Sequence, residues 1–304
     1  MRLMVIGASG FLGTHVRWQA LAAGMEVVTA GRYESADSRR HQRVDLAADT
    51  PARIASMIAD VAPDAVVNCA GATTGKPDVL VAANVTGTFA LTKAMLSAKA
   101  ESMAPLRLIH LGSAAEYGRT EPGILVTERT APRPAAMYGV TKLAGTRLVE
   151  LAVAAGLDAV VLRVFNPIGP GAPVSSLPGR LAAELRRTLR HGSEVRLGPL
   201  DTVRDFVDPR DVADAVLAAA AAPALPHSVL NIGSGRGVPV RAVVKELCAV
   251  SGCAGPVYED GQDLARPVDI PWQQADISRA GEDLGWGPRR DLVTSLIDLW
   301  EASS

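Results

Sequence analysis

The strongest constraint on the fold lies at the start of the chain. An apolar run at residues 3–6 passes directly into Gly7-Ala-Ser-Gly10-Phe-Leu-Gly13, and a helical stretch over residues 11–23 follows, ending at Gly24. A short continuous apolar run suits a strand buried on both faces, and residues 26–30 supply the next strand, so the segment reads as a βαβ unit. A glycine turn at GxxGxxG spacing between strand and helix brings backbone N–H groups and a helix N-terminus to face an anion such as a pyrophosphate.

The alternation continues. Residues 43–46, 65–69, 106–111 and 158–164 read as strands, and residues 50–61, 84–98 and 138–155 as helices. Strands alternating with helices predict an α/β fold with a doubly wound parallel sheet and right-handed crossovers. Ligands of such sheets lie beyond the carboxyl ends of the strands. Gly7, Cys69, Ala70, Gly71, Gly112, Ser113, Phe165 and Asn166 all fall at such ends and are expected to line one crevice.

After residue 164 the texture changes. Residues 166–173 are rich in glycine and proline, a basic helix follows at 177–191, and a strand at 194–197. This predicts a Rossmann domain over residues 1–165, to which 205–232 return through a helix at 212–222 and a strand at Leu230. Residues 166–304 would mainly form a smaller C-terminal substrate-binding lobe.

Charge and cysteine content exclude several classes. Basic and acidic residues nearly cancel, 31 against 32, so no field marks a nucleic-acid binder. Cys69, Cys248 and Cys253 are odd in number and show no CxxC or Cys/His cluster, which indicates neither a disulfide framework nor a metal site. The first apolar run is too short for a signal peptide and no span near twenty apolar residues is apparent, so a soluble cytoplasmic protein without membrane contact is expected.

One further pattern carries chemistry. Tyr138 and Lys142 stand one helical turn apart, so phenol and ammonium share a helix face. A tyrosine near its free pKa of about 10 exchanges protons sluggishly at neutral pH, and a nearby cation stabilises its phenolate. Alone, YxxxK is a common helix pattern. With the glycine turn and Ser113 it resembles the active-site set of the short-chain dehydrogenase/reductase superfamily. Asn84-Val-Thr-Gly-Thr88, Ser113-Ala-Ala-Glu-Tyr-Gly118, Arg163-Val-Phe-Asn-Pro-Ile-Gly-Pro-Gly171, Arg204-Asp-Phe-Val-Asp208, Asn231-Ile-Gly-Ser-Gly235, Asp276-Ile-Ser and Leu284-Gly-Trp286 resemble its extended, nucleotide-sugar-modifying branch.

The resemblance implies roles. Tyr138 would be the general acid or base, Lys142 would lower its pKa and hold the nicotinamide ribose, and Ser113 would hydrogen-bond the reacting carbonyl or hydroxyl. Gly7, Ser9, Gly10, Phe11, Leu12 and Gly13 would hold the dinucleotide, with Cys69, Ala70, Gly71, Asn84 and Phe165 along it. Ser113, Ala114, Ala115, Asn166 and Arg204 would meet the substrate, the last two at its phosphates. A surface salt bridge from Arg204 to Asp205 or Asp208 is the alternative.

The second strand ends Thr29-Ala-Gly31-Arg32 without an acidic residue, which favours NADP(H) over NAD(H), with Arg32 on the 2′-phosphate and Asp45-Leu46 beside the adenine. The dehydratases of this branch carry an Asp-Glu pair after the Ser/Thr. Ala114 and Ala115 stand there instead, and Tyr117-Gly118 fixes the register against Glu116 as a substitute. A nucleotide-sugar 4-ketoreductase is therefore expected, with a 4-epimerase holding NAD as alternative; a non-catalytic redox sensor and a carbonyl reductase of non-nucleotide substrates are the other rivals. Apolar residues on the two helices, among them Ala90, Leu91, Ala94, Met95, Leu143, Ala144, Leu148, Leu151 and Ala152, predict a homodimer through the four-helix bundle of the family.

Overall fold

Strands β1 (Arg2–Ile6), β4 (Ala65–Asn68), β5 (Arg107–Ser113) and β6 (Asp158–Val164) are dominated by Val, Ile and Leu and are buried on both faces, as the centre of a parallel sheet requires. With β2 (Glu26–Gly31), β3 (His41–Arg43) and β10 (Val229–Ile232) they form a seven-stranded sheet in the order β10-β6-β5-β4-β1-β2-β3. The computed structural model describes residues 1–33, 40–101, 105–192, 194–198, 200–253, 255, 257–259 and 270–302. The chain adds β2 and β3 on one side of β1 and β4 to β6 on the other, so the turn after β1 opens at the point where the order reverses.

Helices α1 (Phe11–Ala22) and α7 (Pro209–Ala221) cover one face of the sheet. The other face carries α2 (Pro51–Val61), α3 (Pro77–Val81), α4 (Gly87–Glu101) and α5 (Met137–Ala154). The start of α2 is locally encoded: Thr50 accepts the Arg53 N–H at 3.3 Å and a proline follows it, a cap worth about 1 kcal/mol.

Two expected elements differ. The strand expected at 43–46 lies at His41–Arg43, because the Asp45 carboxylate accepts the Ala47 N–H at 3.1 Å and turns the chain there. The helix expected at 84–98 is the second half of a 25-residue rod, Pro77–Glu101, in which a π-helical turn, Ala82–Thr86, joins α3 to α4. By length and composition this rod could cross a membrane, contrary to the expected absence of such a span. Half of its most apolar window is buried inside the fold, where Ala90, Leu91, Ala94 and Met95 pack into the chain's own core. These four fill the chain's own core; Phe89, Met137, Val140 and Leu151 are the large apolar side chains that α4 and α5 expose.

The remaining elements build the smaller lobe. Strands β7 (Asn166–Pro167), β9 (Val203–Val207) and β11 (Gly237–Pro239) form a three-stranded sheet in the order β11-β9-β7. Helices α6 (Leu177–His191), α8 (Val240–Ser251) and α10 (Leu292–Ala302) bury Leu181, Leu185, Val243, Leu247, Leu296 and Leu299 in one cluster with Phe206 of β9. Strands β8 (Val195–Arg196) and β12 (Val257–Tyr258) pair in parallel beside it. The chain returns to the main sheet through α7 and β10, while residues 205–207 of the expected return belong to the small sheet. Helix α9 (Ser278–Leu284) packs back on α7 and β10.

Candidate active site

The turn after β1 has no room for side chains. Gly7 has φ +79°, and a Cβ on it would lie 2.7 Å from the Ala70 backbone nitrogen; one on Gly13 would lie 2.1 Å from the Gly7 carbonyl oxygen. Helix α1 thus starts directly on the strand, and Gly10 at its N-cap gives it no side-chain cap. Its first N–H groups are left for a ligand, and the narrow, positively polarised cradle fits a diphosphate. Ser9 and Gly10 are exposed there, Phe11 stands edge-on to His15 at 5.7 Å, and Leu12 leans into the core.

Other expected cofactor residues gather at the same sheet edge. Arg32 follows β2, exposed, with its guanidinium 5.6 Å above the Tyr33 ring. Asp45 lies in the turn after β3. The Cys69 N–H donates to the Ile6 carbonyl at 2.9 Å. Burial pushes the Cys69 thiol up to about 12, against the pull of the Lys142 ammonium, so it is no nucleophile. Gly71 is exposed beside it.

Three expected cofactor residues have buried side chains. The Asn84 side chain is 3% exposed and fully used: it accepts the Ala72 N–H at 2.9 Å and donates to the Ala72 carbonyl at 2.9 Å and to Thr141 Oγ1 at 3.0 Å. The π-helical turn aims it inward, where it fastens the loop after β4 to the helix of Tyr138. Leu46 is buried against Gly87 of α4, and the Phe165 ring packs with Tyr117, Val126 and Ala275 in a small core. Each side chain fills a hydrophobic gap.

The three residues expected to do the chemistry come together. Ser113 is the last residue of β5 and accepts the Ala115 N–H at 3.2 Å. Tyr138 is the second residue of α5, and that helix meets the turn after β5 so closely that a Cβ on Gly139 would lie 2.4 Å from the Ala115 carbonyl oxygen. The approach brings the phenol beside the Ser113 hydroxyl. One turn further, Lys142 is buried and donates from Nζ to the Leu111 carbonyl at 2.5 Å.

The electrostatics reverse one expectation. Burial raises the Tyr138 phenol above 10.0, the Ser113 hydrogen bond pulls it down, and the Glu116 carboxylate raises it again. The net direction is upward, not downward, because desolvation outweighs stabilisation of the phenolate. Lys142 is lowered from 10.5 by burial, with Glu116 and then Cys69 acting in the other direction.

Of the expected substrate residues, Ala114 is buried, and its carbonyl accepts Gln273 Nε2 at 2.9 Å, whereas Ala115 is half-buried. Asn166 and Arg204 both lie on the small sheet: Asn166 pairs with Phe206 and donates from Nδ2 to the Asp205 carbonyl at 2.9 Å. Arg204 Nη1 donates to its neighbour Val203 O at 2.9 Å. The acids weighed as its alternative partners are engaged by other donors, Asp205 by Ser234, Gly235 and Ala275, and Asp208 by Arg210 and Ser295. Thr141 escaped the sequence reading, although it accepts from Asn84 and donates to the Tyr138 carbonyl at 2.9 Å. Its place inside the YxxxK spacing was the available signal.

Comparison with known proteins agrees with this geometry. The profile of the NAD dependent epimerase/dehydratase family matches residues 3–233. The chain is 37% identical to the dTDP-6-deoxy-L-talose 4-dehydrogenase (NAD(P)(+)) of Kitasatospora kifunensis over 309 positions, covering 100% of this chain and 96% of that protein. Among solved structures, MoeE5 in complex with UDP-glucuronic acid and NAD superposes with a TM-score of 0.86 at 28% identity, covering 100% and 99% of the two chains. RMD from Pseudomonas aeruginosa complexed with NADPH superposes with a TM-score of 0.82 at 26% identity, covering 99% and 97%. The chain therefore belongs to the NAD dependent epimerase/dehydratase family, as an enzyme of the extended short-chain dehydrogenase/reductase type that works with a nicotinamide dinucleotide.

Proposed function

We propose that the protein reduces the 4-keto group of a nucleotide-activated deoxysugar with NADPH, with Tyr138 as proton donor. The observation that carries this reading is the close approach of α5 to the turn after β5, which sets Tyr138 beside the strand-end Ser113 at the mouth of the dinucleotide crevice, where burial holds the phenol above its ordinary value. Reduction of a ketone needs a proton donor, and this is one at neutral pH.

A reduced nicotinamide supplies the hydride. As it reaches the carbonyl carbon, negative charge grows on the oxygen. Ser113 Oγ–H hydrogen-bonds that oxygen and the Tyr138 phenol gives it a proton, leaving a phenolate that solvent reprotonates. Lys142 is the nearby cation, and the phenol sits in the first turn of α5, where the helix dipole favours negative charge. Dehydration would require a second mobile acid. Ala114 and Ala115 carry none, and Glu116 is locked in the interior by Ser113, Thr146 and Arg163. Arg204 and Asn166 are assigned to the substrate's phosphates.

The relatives support the choice of reaction, since the protein at 37% identity is a dTDP-sugar 4-dehydrogenase and RMD was solved with NADPH. For the cofactor, exposed Arg32 at the end of β2 offers a forked donor to a 2′-phosphate. The 4-epimerase is the second reading, favoured by MoeE5, which was solved with NAD. The apolar side chains exposed on α4 and α5 support a homodimer, and three free thiols fit a reducing cytoplasm.

Turnover should be measured with NADPH and a panel of 4-keto-6-deoxy sugar nucleotides. A reductase consumes one NADPH per product, and Tyr138→Phe lowers kcat by about a hundredfold or more. Interconversion of two C4 epimers without net cofactor consumption would establish the second reading instead. Arg32→Ala should weaken NADPH binding by about tenfold and leave NADH unchanged, on the scale of one charge-assisted hydrogen bond.

A further inference from the structure

Glu116 has no access to solvent, yet it touches three elements that define the active site. Its Oε1 accepts the Ser113 N–H at 2.8 Å. Its Oε2 accepts Thr146 Oγ1 of α5 at 2.8 Å and Arg163 Nε of β6 at 2.7 Å. Thr146 stands one turn beyond Lys142 on the helix that also carries Tyr138. Gly112 makes room for the carboxylate, because a Cβ there would lie 2.8 Å from Oε1.

We infer that Glu116 is the positioning residue of this site: it ties the strand end of Ser113 to the helix of Tyr138 and Lys142 and sets the charge balance around them from below. The inference rests on the assignment of Ser113, Tyr138 and Lys142 as the chemical groups. The geometric argument is that Ser113 and Tyr138 sit on separate elements whose spacing the Gly139 contact fixes on one side only. The carboxylate fixes the other side, through Thr146 and the backbone of Ser113. A misplacement of about 1 Å at such a pair costs on the order of a hundredfold in rate.

The charge argument concerns the same atoms. Arg163 faces Glu116 from β6 and lies 4.7 Å over the Tyr117 ring, while Glu128 also acts on Tyr117. Tyr138 and Lys142 face it from α5, and His110 of β5 and Cys69 in the turn after β4 flank Lys142. Within this set the Glu116 carboxylate favours the ammonium of Lys142 and the protonated phenol of Tyr138. A proton donor and its charged neighbour are thereby kept in the states that ketone reduction uses.

The test is Glu116→Gln, read in two ways. The phenolate absorbance that native protein shows and Tyr138→Phe lacks reports the Tyr138 titration without any substrate. Its midpoint should move to lower pH by roughly one unit in Glu116→Gln, the size of one removed nearby charge. With substrate, kcat should fall by about tenfold to a hundredfold while the KM for NADPH changes by less than about threefold. Should Glu116→Gln not fold because Arg163 is stranded, Glu116→Gln combined with Arg163→Met carries the same readings without a buried charge. An unmoved phenolate midpoint, or wild-type kcat in the doubly neutral variant, would overturn the inference. Absence of turnover in native protein, by contrast, counts against the proposed reaction, and the substrate-free titration still decides the role of Glu116.

Discussion

Glu116 and Asp205 are both withdrawn from solvent, and the chain satisfies them by opposite means. Glu116, below Ser113, is answered by a guanidinium at 2.7 Å. Asp205, on the strand of Arg204, is answered by dipoles: the N–H groups of Ser234, Gly235 and Ala275 at 2.6, 2.9 and 3.0 Å and the Ser234 hydroxyl at 2.8 Å. One carboxylate joins elements of the main sheet, the other joins three segments of the lobe. A charge paired with a charge creates mutual dependence, since removing either partner strands the other in a low-dielectric interior. A charge held by backbone dipoles depends on no single side chain.

The contrast breaks most visibly when the guanidinium is removed. Arg163→Met should cost about 3–5 kcal/mol of stability in urea unfolding, because Glu116 is left buried and uncompensated. Combining it with Glu116→Gln should restore much of that loss. Asp205→Asn should cost less, about 1–3 kcal/mol, since the amide oxygen still meets part of the N–H set and only the remainder is unsatisfied. A larger loss for Asp205→Asn than for Arg163→Met would reverse the comparison.

The smallest effect is a pH dependence. Burial raises the Asp205 carboxyl above 3.8, against the hydrogen bonds of Ser234 and its neighbours. A carboxyl whose folded value is raised holds its proton more readily folded than unfolded, so its contribution to stability declines as pH rises from the unfolded value through the folded one. The stability advantage of the native protein over Asp205→Asn should therefore be greater near pH 4 than near pH 7, by on the order of 1 kcal/mol in urea unfolding at the two pH values. An advantage that grows with pH would mean that the backbone donors outweigh burial.

These two sites also mark where sequence reading stopped. The apolar strands, the glycine turn and the Tyr138–Lys142 spacing were legible because each depends on neighbours within a few residues. Asn84 was legible as a motif residue, but its partners were not. The π-helical turn that aims it at Ala72 and Thr141 depends on how the long helix packs, and nothing in its local sequence encodes the contact. Glu116 was legible as an acid after Ser113, but its partners lie 30 and 47 residues away. The net direction in which the Tyr138 phenol moves was not legible for the same reason, since a YxxxK pattern specifies the cation and not the degree of burial.

By itself, then, the sequence determined the doubly wound sheet, the cradle after β1 and the membership of Ser113, Tyr138 and Lys142 in one site. Periodicity, glycine geometry and helical spacing are short-range properties that survive without knowledge of the fold. The tertiary structure decided which groups are dry and which are paired: that Asn84, Leu46 and Phe165 turn into the interior, that Tyr138 stays protonated, and that a buried carboxylate links its helix to Ser113. Desolvation and buried pairing are set by what the rest of the chain stacks around a group, and only the folded molecule supplies that.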